Sequence, residues 1–357
     1  MNTLVQQLAE TLRAATAAKT PLRITGGGSK DFYGNACTGA ALSTTAYSGI
    51  IDYEPTELVI TARAGTPLVD IESALHDKGQ MLAFEPPHFG AGATLGGCVA
   101  AGLSGPRRPY AGAVRDLVLG VRILDGTGAD LKFGGQVMKN VAGYDVSRLM
   151  VGALGTLGVI LDVSLKTLPL PACEVTLQQQ HTEADALRLM NTWAGQPLPI
   201  SGTAWQGGAL AIRLSGAASA VEAARRKLGG EVMGEQPARQ FWQGVRDHSN
   251  HWFSGDATLW RVSLASTAPP LRLPCSAFIE WGGALRWLRT DGSAHWATAV
   301  REAAAAAGGH ATRFRGPGAA AGAFQPLSPA LFKLHERLKQ TFDPAGILNP
   351  GRFYPGM

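Results

Sequence analysis

The 357-residue sequence predicts an α+β fold in more than one unit, and three observations carry that reading. LVLGVRIL and DLKF flank the turn Asp125–Gly128, a hairpin pattern that signals antiparallel pairing. Leu58–Ala64 and Val159–Lys166 alternate apolar and polar residues as half-buried strands do. From Cys173 the texture changes: CEVTLQQQ, a helix over Glu183–Trp193, LAIRLSG, a helix over Ser219–Leu228 and GEVM follow a split βαβ, ferredoxin-like rhythm.

The remaining elements follow in chain order. Leu4, Val5, Leu8 and Leu12 fall on one face of an N-terminal helix. Leu22–Thr25 reads as a short strand running into the triple glycine Gly26–Gly28. Pro67–Lys78 is a helix with Leu68, Ile71, Ala74 and Leu75 inward, closed by Gly79. Pro86–Pro109 is glycine-rich, and Asp145–Val151 is a short helix before the turn Gly152–Gly158. Pro169 and Pro171 close the first unit, giving limits of 1–172, 173–310 and 311–357. In the second unit a helical pattern covers Gln240–Phe253, and strands are expected near TLWRVSLAS and CSAFIEWGG. The last helix, Pro329–Thr341, places Leu331, Leu334 and Leu338 inward, and FDPAGILNPGRFYPGM ends the chain in fixed turns.

Composition excludes several classes. The chain is 45% hydrophobic and 17% charged, as a globular protein is. A net charge of +5 favours anionic partners, but no basic run neutralises successive phosphates, which argues against nucleic acid. Cys37, Cys98, Cys173 and Cys275 are scattered without C-x-x-C, the pattern of a reducing compartment rather than of a disulfide scaffold, zinc site or iron–sulfur cluster. The N-terminal helix lacks the form of a signal peptide, and the apolar run Leu149–Leu161 falls short of the ~20 residues that span a bilayer.

Three glycine-bearing blocks could carry chemistry. In Gly26-Gly27-Gly28-Ser29-Lys30, successive N–H groups can converge on an anion beside a hydroxyl and an ammonium. The plain alternative is a tight surface turn. Gly90-Ala-Gly92-Ala-Thr94-Leu95-Gly96-Gly97 approximates the dinucleotide pattern G-x-G-x-x-G. Pro86 and Pro87 deny it the strand, and Leu103–Pro106 the long helix, that such a site needs. Gly155-Thr156-Leu157-Gly158 runs into a strand at Val159 and Ile160, with Tyr144 and Asp145 in a turn just before. Walker A, G-x-S-x-G and H-E-x-x-H are absent. His248 and His251 share helical spacing, but no third ligand follows, and no metal is expected.

Together these blocks resemble the FAD-binding domain of the vanillyl-alcohol oxidase, or p-cresol methylhydroxylase, type. TLGGCVAAGLSGPRRPYAGAVRDLVLG and FGGQVMKNVAGYDVSRLMVGALGTLGVI are similar more narrowly to the FAD-binding subunits of bacterial glycolate oxidases. The likeness covers about residues 20–170 and returns in FDPAGILNPGRF. It implies a two-subdomain FAD domain with an inserted, shortened ferredoxin-like cap. Gly26–Lys30, Thr94–Gly97 (with Leu95 and Gly96) and Gly102, Ser104 and Gly105 would hold the FAD diphosphate. Gly155, Thr156, Gly158, Val159 and Ile160 would line the adenosine end, near Tyr144 and Asp145. Ser29 stands where covalent members carry histidine, so the resemblance implies non-covalent FAD.

The resemblance also implies oxidation of glycolate or a related 2-hydroxy acid. Its partners would be a larger FAD-binding subunit and an iron–sulfur subunit, in the cytoplasm or at the inner face of the membrane through those partners. Such chemistry needs a cation for the carboxylate and a base for the hydroxyl proton. Arg107, Arg108 and Arg352 are the cation candidates, each with a structural ion pair as the alternative, and His88 is the weak candidate base. The H-x-G-D-G-N segment of larger relatives is missing. A flavin-holding, electron-relay or assembly subunit beside a catalytic partner therefore stays open, as does a free-standing flavin oxidase.

Overall fold

A computed structural model describes residues 3–135, 145–318, 320 and 322–357. In the first unit, strand Leu22–Thr25 pairs in parallel with Ala40–Ser43. A five-stranded antiparallel sheet follows in the order Ile50–Glu54, Val59–Arg63, Val159–Lys166, Val118–Leu124, Asp130–Gly134. The predicted hairpin is its edge, with Asp125 Oδ1 accepting from the N–H groups of Thr127 and Ala129.

Val159–Lys166 differs from expectation. It is the middle strand and is buried on both faces, with only Asp162 and Lys166 partly exposed. Val159 and Leu161 join the layer under helix Thr3–Ala18, where Val5, Leu8 and Leu12 pack. Ile160, Val163 and Leu165 join the opposite layer under helices Leu68–His76 and Leu95–Ala101. Each fully buried Leu, Ile or Val contributes about 1.5–3 kcal/mol, so this strand is central to the unit's stability.

The second unit is an eight-stranded antiparallel sheet. Its first half runs strand Cys173–Gln180, helix Glu183–Ala194, strands Ile200–Gln206 and Ala209–Gly216, helix Ala218–Leu228 and strand Glu231–Met233. The spatial order Glu231–Met233, Cys173–Gln180, Ala209–Gly216, Ile200–Gln206 is the ferredoxin-like arrangement. The sheet continues through Ala277–Glu280, Leu285–Thr290, Thr258–Ser263 and His310–Arg315, so its pairing runs past residue 310. Helix Ala294–Ala306 packs against those last strands.

Trp242, Trp252, Phe253, Phe278, Trp287 and Phe314 of this unit form one cluster with Tyr33, Leu103 and Leu154 of the first. That cluster joins the units. The expected helix over Gln240–Phe253 is shifted: the helix is Glu235–Asp247, stopped by His248 in a left-handed cap at φ 53°. His248 and His251 therefore share no helical face.

Helix Pro329–Phe342 overturns another expectation. Leu331 and Leu334 are 50% and 52% exposed, whereas Lys339 and Phe342 are buried. The inward stripe is one turn nearer the C-terminus because the anchor is polar: Lys339 Nζ donates to the Thr156 and Leu348 carbonyls and pairs with Asp343 at 2.7 Å. The tail then returns to the first strand through a parallel bridge between Leu22 and Leu348.

Candidate functional site

A cleft in the first unit gathers the glycine blocks and the tail. Its walls include Gly26, Gly27, Gly28, Ser29 and Lys30, then Thr94, Gly96 and Gly97, then Gly155, Gly158 and Ile160, with Asn349 and Arg352. The turn after strand Leu22–Thr25 supplies the donors. Among the described residues, the backbone N–H groups of Gly27, Gly28, Ser29 and Lys30 meet no acceptor in the protein. Four successive free donors beside an ammonium form an anion nest. Lys30 Nζ donates to Ser29 Oγ and the His88 carbonyl, both at 3.3 Å. Burial lowers the Lys30 pKa, while Cys98 and Asp247 act to raise it.

The glycines serve different ends. A Cβ on Gly97 would meet only Thr94 Oγ1, at 3.3 Å, so this position opens onto the cleft. A Cβ on Gly96 would stand 2.7 Å from Ala64 Cβ, so Gly96 is small to seat helix Leu95–Ala101 on strand Val59–Arg63, not to spare a ligand. Gly96 still lines the cleft, but the space its missing Cβ leaves is filled by Ala64. Thr94 caps the same helix by accepting from Gly97 N.

Several expected residues do not line the cleft. Leu95 is core, and Gly102 ends the helix at φ 65° against Gly152. Ser104 Oγ accepts from Val114 N, and Gly105 lies against the Glu85 carbonyl. Thr156 hydrogen-bonds to Ala153, and Val159 packs under the N-terminal helix. Asp145 caps helix Val146–Met150 and pairs with Arg148. Tyr144 lies outside the described residues.

The catalytic candidates also separate. Arg107 is buried and pairs with Glu174 at 2.8 Å and Glu85 at 3.4 Å. Burial pushes Glu85 up, but Arg213 and Arg107 outweigh it and hold the carboxylate below its ordinary range. Arg107 is thus an interdomain tie. Arg108 lies over the Trp281 ring, 4.4 Å from its centroid. His88 Nε2 is 3.0 Å from Glu72 Oε2 without hydrogen-bond geometry. Arg352 alone of the three arginines reaches the cleft, where it donates to the Asn35 and Asp31 carbonyls.

Sequence reasoning missed Asn349. Its φ is 43°, its Nδ2 donates to the Leu154 carbonyl, and its Oδ1 accepts from Ile24 N at 2.7 Å. The signal was present in Asn349-Pro350-Gly351, a turn whose asparagine tolerates left-handed backbone. Cys37 and Ile24 at the cleft carried no such signal. No cluster of potential metal ligands occurs among the described residues.

The FAD binding domain family matches residues 3–134, and the C-terminal domain of FAD linked oxidases matches residues 290–353. Alkyldihydroxyacetonephosphate synthase has the same fold, at a TM-score of 0.67 with 14% identity, covering 97% of this chain and 74% of that one. Fold and cleft thus define an FAD-linked oxidoreductase. Glycolate oxidase subunit GlcE of Escherichia coli K12 is 52% identical over 98% of this chain and 97% of its own length. The chain belongs to that GlcE family. Glycolate oxidase subunit GlcD of Bacillus subtilis is 31% identical over 137 residues, only 29% of its length.

FAD is the cofactor of this class. The cleft fits it: four unpaired N–H donors, a buried lysine and a Cβ-free wall at Gly97 suit a diphosphate.

Proposed function

We propose that this chain is the FAD-binding subunit of a glycolate oxidase complex, acting on glycolate or a related 2-hydroxy acid. The observation that carries the reading is 52% identity to a glycolate oxidase subunit along nearly the whole chain, together with the donor-rich cleft. Bound FAD supplies an acceptor for the hydride removed from the substrate α-carbon. The chain's part is to hold the diphosphate on Gly27–Lys30 and Gly97 and to keep water from the site through the aromatic cluster between the units. Ser29 offers no imidazole for a covalent link, so the cofactor is held non-covalently. A larger flavoprotein subunit and an iron–sulfur subunit complete the complex, since the four cysteines here are dispersed and free. The complex works in the cytoplasm and reaches the membrane only through partners; no helix among the described residues is long and apolar enough to cross one.

Deleting the chain tests this reading: glycolate oxidation by the assembled complex is expected to fall to background, and unchanged oxidation would overturn it. One observation favours a second reading. Arg107 and Arg108 are engaged structurally, which suits a flavin-holding or relay subunit whose larger partner does the chemistry. Bleaching of the flavin when the purified chain meets glycolate without oxygen counts against it.

A further inference from the structure

Where the two units meet, a cavity of about 20 Å³ is lined by Phe89, His248, Arg261, Glu280, Trp287 and Phe314 among others. Its polar groups are short of partners. His248 is 8% exposed, and its Nδ1 has no hydrogen-bond partner. The imidazole is held rigidly, stacked on Phe253 at 4.1 Å with Trp287 edge-on at 4.5 Å. Among the described residues Arg261 pairs with no carboxylate. Its guanidinium makes one 3.5 Å bond to Ser263 Oγ and lies 5.2 Å from the Trp281 ring centroid. Glu280 is 3% exposed and accepts a single bond, from Trp287 Nε1 at 2.7 Å.

The buried imidazole nitrogen has no partner, and the half-buried Arg261 guanidinium, free of any carboxylate among the described residues, lines the same space as the buried Glu280 carboxyl, so a polar occupant would engage capacity that the protein leaves over. Burial pushes the Glu280 pKa up to about 8, so at neutral pH this group is mostly a hydrogen-bond donor and not a competing anion. Burial, with Arg315 and Arg261 nearby, keeps His248 neutral. The occupant these groups suit is a small carboxylate that also carries a hydroxyl.

We propose that this cavity is the substrate subsite, in which Arg261 binds the carboxylate of a 2-hydroxy acid, Glu280 donates to it, and His248 Nδ1 receives the hydroxyl proton. The assignment rests on the function proposed above. Oxidation to the 2-oxo acid removes a hydride from the α-carbon, for which bound FAD is the acceptor, and one proton from the hydroxyl, which His248 takes. The bound anion favours the imidazolium and so raises the basicity of His248 when substrate is present.

Phe89 is the lid. The cavity holds about one water, too little for the substrate with the ring in place. Phe89 adopts φ 53°, a left-handed conformation that non-glycine residues seldom take, and Gly90 follows at φ 138°. Its ring is 5.2 Å from that of His248 and 5.8 Å from Lys30 Nζ, which lines the FAD cleft. Moving one side chain on a strained, glycine-adjacent backbone would connect cavity and cleft.

Calorimetric titration of the full-length FAD-loaded protein with oxalate, a carboxylate that cannot yield a hydride, tests the subsite. Expected are one site per chain, affinity lower by about tenfold or more in Arg261→Met, and partial rescue in Arg261→Lys. Faster association in Phe89→Gly and proton uptake on binding that vanishes in His248→Gln are expected too. Equal oxalate affinity in wild type and Arg261→Met, or no binding by either wild type or Phe89→Gly, would overturn the proposal. The two readings fail separately. If the complex needs this chain but Arg261→Met and His248→Gln leave glycolate KM and kcat unchanged, the subsite is wrong and the subunit assignment stands. If the complex does not need the chain, the assignment itself falls.

Discussion

The backbone of Gly27 lies against that of Gly92, so close that a Cβ on Gly27 would overlap the Gly92 carbonyl. Two glycine blocks far apart in sequence are thereby pressed into one wall. Neither side of that contact admits a side chain: a Cβ on Gly92 would stand 2.8 Å from the Gly27 carbonyl oxygen. The turn that carries the free N–H groups is held in place by this approach.

Gly96 and Gly97 are expected to respond differently to substitution. Gly97→Val directs its side chain into the cleft, so the protein should fold and lose most of its flavin. Gly96→Ala overpacks the seat of its helix on Ala64 and should cost about 1–3 kcal/mol of stability. The ratio of flavin to protein absorbance, read beside a denaturation midpoint, separates the two outcomes. Stoichiometric FAD in Gly97→Val would show the diphosphate site misplaced.

Lys339→Met should destabilise the protein by about 3–5 kcal/mol, because the buried Asp343 carboxylate would lose its counter-ion and keep only the Ile347 and Leu348 N–H groups. The same change frees the Thr156 carbonyl between Gly155 and Gly158 of the cleft. Urea unfolding measures the first effect, and FAD dissociation, expected to be faster, measures the second.

Stability should depend on pH through two buried groups. Glu280 has an ordinary pKa of 4.5 and is pushed to about 8, so the folded state keeps a proton that the unfolded chain loses between those values. Stability from this group falls as pH rises from 4.5 to about 8. His248 is lowered well below 6.5, so its contribution falls as pH drops below 6.5, where the unfolded chain gains a proton first. Thermal midpoints between pH 5 and 9 should show both limbs. Glu280→Gln should flatten the alkaline limb and His248→Gln the acid one.

Leu331→Ser with Leu334→Ser should change the stability of the isolated chain by only about 0.5 kcal/mol or less, since both side chains are half exposed. A loss of several kcal/mol on chemical denaturation would mean that the helix is packed as the sequence pattern first suggested.

Much of the fold was legible because its signals are local. The hairpin at Asp125–Gly128, the helix over Leu68–His76 and the βαββαβ order after Cys173 each follow from a period or a turn within some tens of residues. Periodicity failed where the environment was not one-sided. The Val159–Lys166 strand is covered on both faces, and the last helix is anchored by a lysine that no apolar stripe would reveal.

By itself the sequence marked where backbone is free of Cβ, and so two stretches that line one cleft, Gly26–Lys30 and Thr94 with Gly96 and Gly97, because glycine's lack of a side chain is an intrinsic property. Tertiary structure alone decided which glycine opens onto the cleft and which seats a helix. It also took Arg107 into an interdomain ion cluster and brought Arg261, Glu280 and His248 to one cavity. The physical reason is the same in each case. Charge pairing and burial depend on neighbours supplied by distant segments, and no spacing along the chain encodes a counter-ion.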